Sequence, residues 1–249
     1  MNIVFKFYIQ AWVLLSIASA ASIPAVWRWL RGHCSRLGRW AWGGACVVLL
    51  FGSLLYPVMA IPVRVNERFP GAQPPRGTLD GMAYMTVGVY TWPDPSHPIE
   101  LSYDYNAIQW LLENVEGTPV ILEASLAYYR EGGMRVSSYT GLPTLAGAHQ
   151  REQRPMGEVI SREEDVKRLY ETPDQREALE LIQKYDIEYI YLGQLERIAY
   201  APQGLPKFEW MRDDGLLRVV YQNDKVTIYR VVSAASGPTS RRFLNTDCV

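Results

Sequence analysis

Two long apolar runs at the front of this chain limit what it can fold into more than any other feature. Residues 3–27 are apolar apart from Lys6, Gln10 and a few serines, and residues 40–63 contain no charged residue. A helix needs about 20 apolar residues to cross a bilayer core, so each run reads as a transmembrane helix, over about 3–27 and 40–62. Residues 28–39 between them hold Arg28, Arg31, Arg36, Arg39 and His33. The positive-inside rule makes this basic loop cytoplasmic and places the N-terminus and the C-terminal part outside a plasma membrane that the chain crosses more than once. Trp27, Trp29, Trp40 and Trp42 flank the loop where an interfacial aromatic belt sits. The competing reading is a signal peptide cleaved near Ala18-Ser19-Ala20, which would put the arginine loop on the outer face, against the charge rule.

Charge divides the chain at the same place. Residues 1–63 carry five basic residues and no acid, while all 26 acidic residues lie beyond Val63. A net-acidic outer part gives nucleic acid no footing. Cys34, Cys46 and Cys248 have neither zinc nor redox spacing, and nothing pairs them into a disulfide framework.

Inside the first run, Asn2, Lys6 and Gln10 are four residues apart and share one helical face. Polar groups within a span face protein or a water-filled cavity and mark functional sites; a lysine this near the chain start also snorkels to the interface. Both readings stand.

Residues 64–100 read as a proline-rich extracytoplasmic connector, part of an extended stretch from Tyr56 to Pro98 that holds eight of the sixteen prolines. Within it Asp80-Gly81 signals a turn. Residues 101–232 alternate helical and strand patterns, as expected for a small extracytoplasmic α/β domain. A helix capped by Asp104 buries Ile108, Leu111 and Val115. Residues 119–124 form a strand ending at Glu123. Ser161-Arg162-Glu163-Glu164 is a capping box that starts a helix, and Thr172-Pro173-Asp174-Gln175 starts another. Residues 187–192 form a strand, and 216–222 with 225–231 form a hairpin about Asn223-Asp224. Residues 233–249 read as a disordered tail.

The chain lacks the glycine-rich nucleotide loops, the G-x-S-x-G elbow and the H-E-x-x-H metal motif. His33, His97 and His149 are too dispersed for a multi-histidine metal site. The chemistry gathers in residues 134–154, a loop followed by a short helix, rich in hydroxyls and ending in a basic cluster. Its candidate substrate contacts are Arg135, Ser137, Thr140, Gly141, His149, Arg151 and Arg154, with Asp80 and Glu123 beside them. Arg135, Arg151 and Arg154 either clamp a phosphate bidentately or are ordinary solvated arginines. His149 is a base, an oxygen ligand or a packed loop side chain. Glu123 ends a strand, where open α/β sheets bind ligands, or pairs with Arg130 or Arg135. None of these is a catalytic signature.

The segment Asn2-Ile3-Val4-Phe5-Lys6-Phe7-Tyr8-Ile9-Gln10-Ala11-Trp12 resembles a block late in the large multi-pass Chlor-Arch "YYY" membrane proteins. Thr78-Leu79-Asp80-Gly81, Arg135-Val136-Ser137, Thr140-Gly141-Leu142-Pro143-Thr144, Asp165-Val166, Tyr189-Ile190-Tyr191-Leu192-Gly193 and Leu195-Glu196-Arg197 are similar to later blocks in the same order. The resemblance runs to about Val232. It implies a glycosyltransferase-C-like protein that uses a polyprenyl-phosphate sugar donor at the outer membrane face. It also implies further transmembrane helices, upstream or from a membrane partner, and a catalytic acid that lies upstream of Met1. On this view the chain is a C-terminal portion that binds a lipid-linked sugar without catalysing alone. The block from Gly147 to Arg154 lacks the tryptophans of the family version. The alternative is a non-enzymatic, membrane-anchored interaction module that associates through Ser16, Ser19 and Ala20.

Overall fold

The computed structural model describes residues 3–69, 71, 73–126, 132–147 and 154–232. The chain divides at Gly71 into two compact units. The first is α1 (Ile3–His33) followed by α2 (Arg36–Arg68), both long and apolar enough to cross a membrane. Helix runs through the basic segment expected to be a loop. Only Cys34 and Ser35 separate the two helices, and the Ser35 hydroxyl caps α2 by accepting from Gly38 N at 3.3 Å. The expected extended stretch from Tyr56 is likewise helical as far as Arg68, through Pro57 and Pro62. Each proline removes one helical N–H, and the apolar run around them sustains the helix regardless.

The helices meet near their turn, where Leu30 is buried and Trp27 lies 6.0 Å from Trp42. Away from the turn their side chains point outward. Trp12, Leu14, Leu49, Leu50 and Phe51 are each more than 60 % exposed, the reverse of a soluble core helix.

The second unit begins with a 3-10 turn (Ala83–Thr86) and a small hairpin, β1 (Val89–Thr91) with β2 (Pro98–Glu100), neither evident from the sequence. After α3 (Leu101–Asn114) comes a mixed sheet of four strands in the order β3-β4-β6-β5: β3 (Val120–Leu122), β4 (Ile187–Leu192), β5 (Leu217–Gln222) and β6 (Thr227–Val231). β3 and β4 are parallel; β6 lies antiparallel to β4 and β5. The remaining helices are α4 (Arg135–Thr140), α5 (Met156–Glu171), α6 (Gln175–Lys184), α7 (Gln194–Ala199) and α8 (Lys207–Asp213).

Strand side chains alternate between faces, and the sheet is covered on both. Ile121, Tyr189, Tyr191 and Ile228 face α3, α4 and the 3-10 turn. Leu122, Ile190, Leu192 and Tyr229 face α5, α6, α7 and α8. This is a three-layer α/β/α domain, as the alternation of patterns predicts.

Three local expectations need correction. Asp104 does not cap α3 but sits inside its first turn, fully buried. α5 begins at Met156, so Ser161 is interior to it and caps nothing. In the 134–154 stretch the helix α4 stands at the start, where a loop was expected, and residues 141–147 after it are irregular.

Candidate functional site

In an open α/β sheet the usual ligand position is the crevice beyond the carboxyl ends of the parallel strands. Here β3 and β4 end side by side, and the segments that leave them carry Glu123 and Glu196. α4 returns across this edge and brings Arg135 into it. Arg135 is 6 % exposed. Its Nη1 and Nη2 fork onto the Glu196 carboxylate at 3.2 and 3.0 Å, while Nε donates to Asp104 Oδ1 at 2.9 Å. Tyr191 donates to the same Asp104 oxygen at 2.5 Å, and the guanidinium lies 5.1 Å from the Tyr191 ring centre. The chain's own cation therefore fills the crevice.

Within this cluster Glu196 also satisfies backbone donors. Glu196 accepts from Ala124 N at 3.1 Å and from Gly193 N at 2.9 Å, tying the end of β3 to the start of α7. Gly193 is needed for this approach, since a Cβ there would meet Arg135 Nη2 at 2.8 Å and Glu196 Oε2 at 3.0 Å. Burial would lower the pKa of Arg135, but the carboxylates of Asp104 and Glu196 outweigh it and hold the guanidinium above its ordinary range. Burial, then Asp104, push the Tyr191 phenol up as well. Asp104 Oδ2 and Tyr90 Oη are buried without a hydrogen-bond partner among the described residues.

Glu123, 1 % exposed, does a different job. Its two oxygens accept from Val136 N at 2.8 Å and Ser137 N at 3.0 Å, so it caps the N-terminus of α4 from a distant part of the chain. Burial raises its pKa to about 7, against the lowering effect of the Ser137 bonds and of Arg135. α4 needs this help: Met134 enters it in the left-handed region at φ 61° and offers no side-chain cap.

The candidate residues thus separate. Glu123 and Arg135 are both buried and held by bonds within the fold. Ser137 is half-buried and donates to Met134 O. Thr140 donates to Val136 O, and Gly141, exposed at φ 76°, ends α4 in the left-handed conformation. Asp80 is exposed, fixes its own turn by accepting from Met82 N at 2.8 Å, and accepts from the Tyr105 hydroxyl at 3.2 Å. Arg154, Lys6 and Gln10 are exposed. Asn2, His149 and Arg151 lie outside the described residues, as do Arg130 and the 233–249 tail.

Sequence reasoning missed the partners of Arg135. Asp104 looked like a cap, and Glu196 appeared only as part of a resembling block. The readable signal was the spacing of Glu196 three residues after a strand-ending glycine, the place of a reciprocal cap. Lys207 was also missed. It is fully buried, donates to the carbonyls of Tyr170 at 3.0 Å and Gly204 at 2.9 Å, and burial lowers its pKa to about 7.

No protein-family model matches this sequence, and no curated protein matches it significantly. Among solved structures, the chain is similar to the C-terminal globular domain of an oligosaccharyltransferase from Archaeoglobus fulgidus. The two are 13 % identical with a TM-score of 0.33, over 51 % of this chain and 96 % of that one.

Proposed function

We propose that this chain is the membrane-anchored, substrate-binding part of a polyprenyl-phosphate-dependent, glycosyltransferase-C-like system, with no catalysis of its own. In this reading α1 and α2 cross the plasma membrane, the basic turn lies in the cytoplasm, and the α/β domain lies outside. The observation that carries it is the pair of long apolar helices whose side chains point outward over most of their length, a pattern suited to a covering of lipid or other membrane helices. The acid-free charge pattern of residues 1–63 supports the orientation, and the ordered sequence blocks from Asn2 to Arg197 support the glycosyltransferase relationship.

Lys6 and Gln10, with Asn2, supply the face toward the donor phosphate. The hydroxyl-bearing surface of α4 and Arg154 supply contacts to donor or acceptor. A catalytic acid comes from upstream helices or a membrane partner, because Glu123, Asp104 and Glu196 are all committed inside the fold. That same closure favours the second reading, a non-enzymatic membrane-anchored interaction module. A photoreactive polyprenyl-phosphate in proteoliposomes separates the two. The first reading expects crosslinking to the wild-type chain that Lys6→Ala and Gln10→Ala strongly reduce. Crosslinking that both variants leave unchanged, or its absence from wild type, leaves the interaction module.

A further inference from the structure

Where α1 turns into α2, the two helices enclose a cavity of about 540 Å³, lined by Trp27 and Arg31 from α1 and by Arg39 and Trp40 from α2. Trp27 and Arg31 are four residues apart and share one face of α1, and the Arg31 guanidinium lies 5.6 Å from the Trp27 ring centre. Arg39, half-buried, reaches back to α1 and donates from Nη1 to the Arg31 carbonyl at 3.3 Å. Trp40 is 80 % exposed. The other two arginines of the turn do not line this cavity. Arg28 donates from Nε to Pro24 O on its own helix at 3.4 Å, and Arg36 is exposed.

Two guanidiniums facing one cavity repel each other unless an anion lies between them. The helical unit has no carboxylate in position to supply it. Its single acid, Glu67, stands near the far end of α2 beside Arg64, at 3.6 Å.

We propose that this cavity holds the phosphate of an anionic phospholipid, with Arg31 and Arg39 as its cations and the indoles of Trp27 and Trp40 against the glycerol and the first acyl carbons. The proposal involves the helical unit alone, and it rests on α1 and α2 lying in a bilayer. Arginine forks match phosphate oxygens. Tryptophan favours the level where headgroups meet acyl chains, and basic pockets between membrane helices take anionic headgroups on the cytoplasmic side. Two features select a lipid over free phosphate: the cavity is several times the size of a phosphate group, and two of its four walls are indole rings. A choline headgroup brings a cation of its own, which the arginines repel, so the occupant carries net negative charge.

The test uses the full chain in phosphatidylcholine vesicles, with Cys46 and Cys248 replaced by serine and a fluorophore on native Cys34 in the turn. A trace of lipid with a nitroxide on its acyl chain is added, either phosphatidylglycerol or phosphatidylcholine. At equal mole fraction the phosphatidylglycerol quenches several-fold more. Arg31→Lys with Arg39→Lys keeps the charge that orients the helices but loses the forks, and it brings the two lipids close to parity. Arg28→Lys with Arg36→Lys leaves the difference in place. Equal quenching by both lipids in wild type, or the same response from both double variants, reduces the effect to diffuse charge and overturns the site. Loss of the difference when inorganic phosphate is added at constant ionic strength assigns the cavity to a free anion and also overturns it. A label at Leu50→Cys, with Cys34 replaced by serine, is quenched alike by both lipids. Its failure to be quenched removes the bilayer reading and this proposal with it.

Discussion

The two units of this chain resolve opposite problems. In α1 and α2 the apolar side chains point outward, and little holds the helices together away from their turn. In the α/β domain the apolar side chains are sealed on both faces of a sheet, and charges are drawn inside with them. The helical pair leaves its stability to its surroundings. The domain supplies its own, at the cost of filling the crevice where a ligand usually sits.

The contrast predicts very unequal responses to mutation. The largest belongs to Arg135→Ala, which leaves the buried carboxylates of Asp104 and Glu196 without a cation and destabilises the domain by about 3–5 kcal/mol. Arg135→Lys keeps the charge but loses the fork, so it recovers only part of this in denaturant unfolding of the full chain. Wild-type stability in Arg135→Ala would mean that the cluster is not the internal tie described here.

Next comes a matched pair of leucines. Leu122→Ala, at a fully buried position in β3, costs about 2–5 kcal/mol. Leu50→Ala, 63 % exposed in α2, shifts unfolding by less than ~0.5 kcal/mol. Equal losses at the two sites would erase the distinction between the units.

Glu123→Gln has a smaller effect, about 1–3 kcal/mol, because one amide oxygen still accepts from α4 while the NH₂ group faces a backbone donor. Its pH dependence is more diagnostic. The folded state raises the Glu123 pKa from 4.5 to about 7, so it holds a proton there that the unfolded chain has released. The stabilisation from this proton is fully present below about pH 4.5 and is lost as pH rises through about 7. Wild type therefore loses stability relative to Glu123→Gln between those values. Parallel pH profiles for the two proteins would show that Glu123 does not titrate in this window.

Much of this architecture is legible in residue order. Residues 187–192 read as a strand because β-branched and aromatic side chains cluster and end at a glycine; the 216–231 hairpin shows its turn in Asn223-Asp224. α7 and α8 are harder to see, as short helices of 6 and 7 residues held by contacts distant in sequence. Pro57 and Pro62 drew two readings, the end of a transmembrane helix and the start of an extended stretch: propensity counts against helix, while the apolar run in which they sit favours it, and α2 follows the run. In the candidate site, residue order shows which side chains approach one another better than what each one bonds. Glu123 and Arg135 do meet at the end of β3. Their partners, α4 backbone in one case and Asp104 with Glu196 in the other, are set by tertiary packing that no local pattern encodes.

The central claim is that the helical pair crosses a bilayer and leaves the domain on the far side from its turn. Labelling intact cells with a membrane-impermeant maleimide tests it most directly, in a chain where Cys46 and Cys248 are replaced by serine. Native Cys34 marks the turn, and Trp210→Cys marks the domain. The account predicts that Trp210→Cys reacts from outside, that Cys34 reacts only after permeabilisation, and that the chain resists alkaline carbonate extraction. Reaction of both positions from the same side, or release of the chain by carbonate, would contradict it.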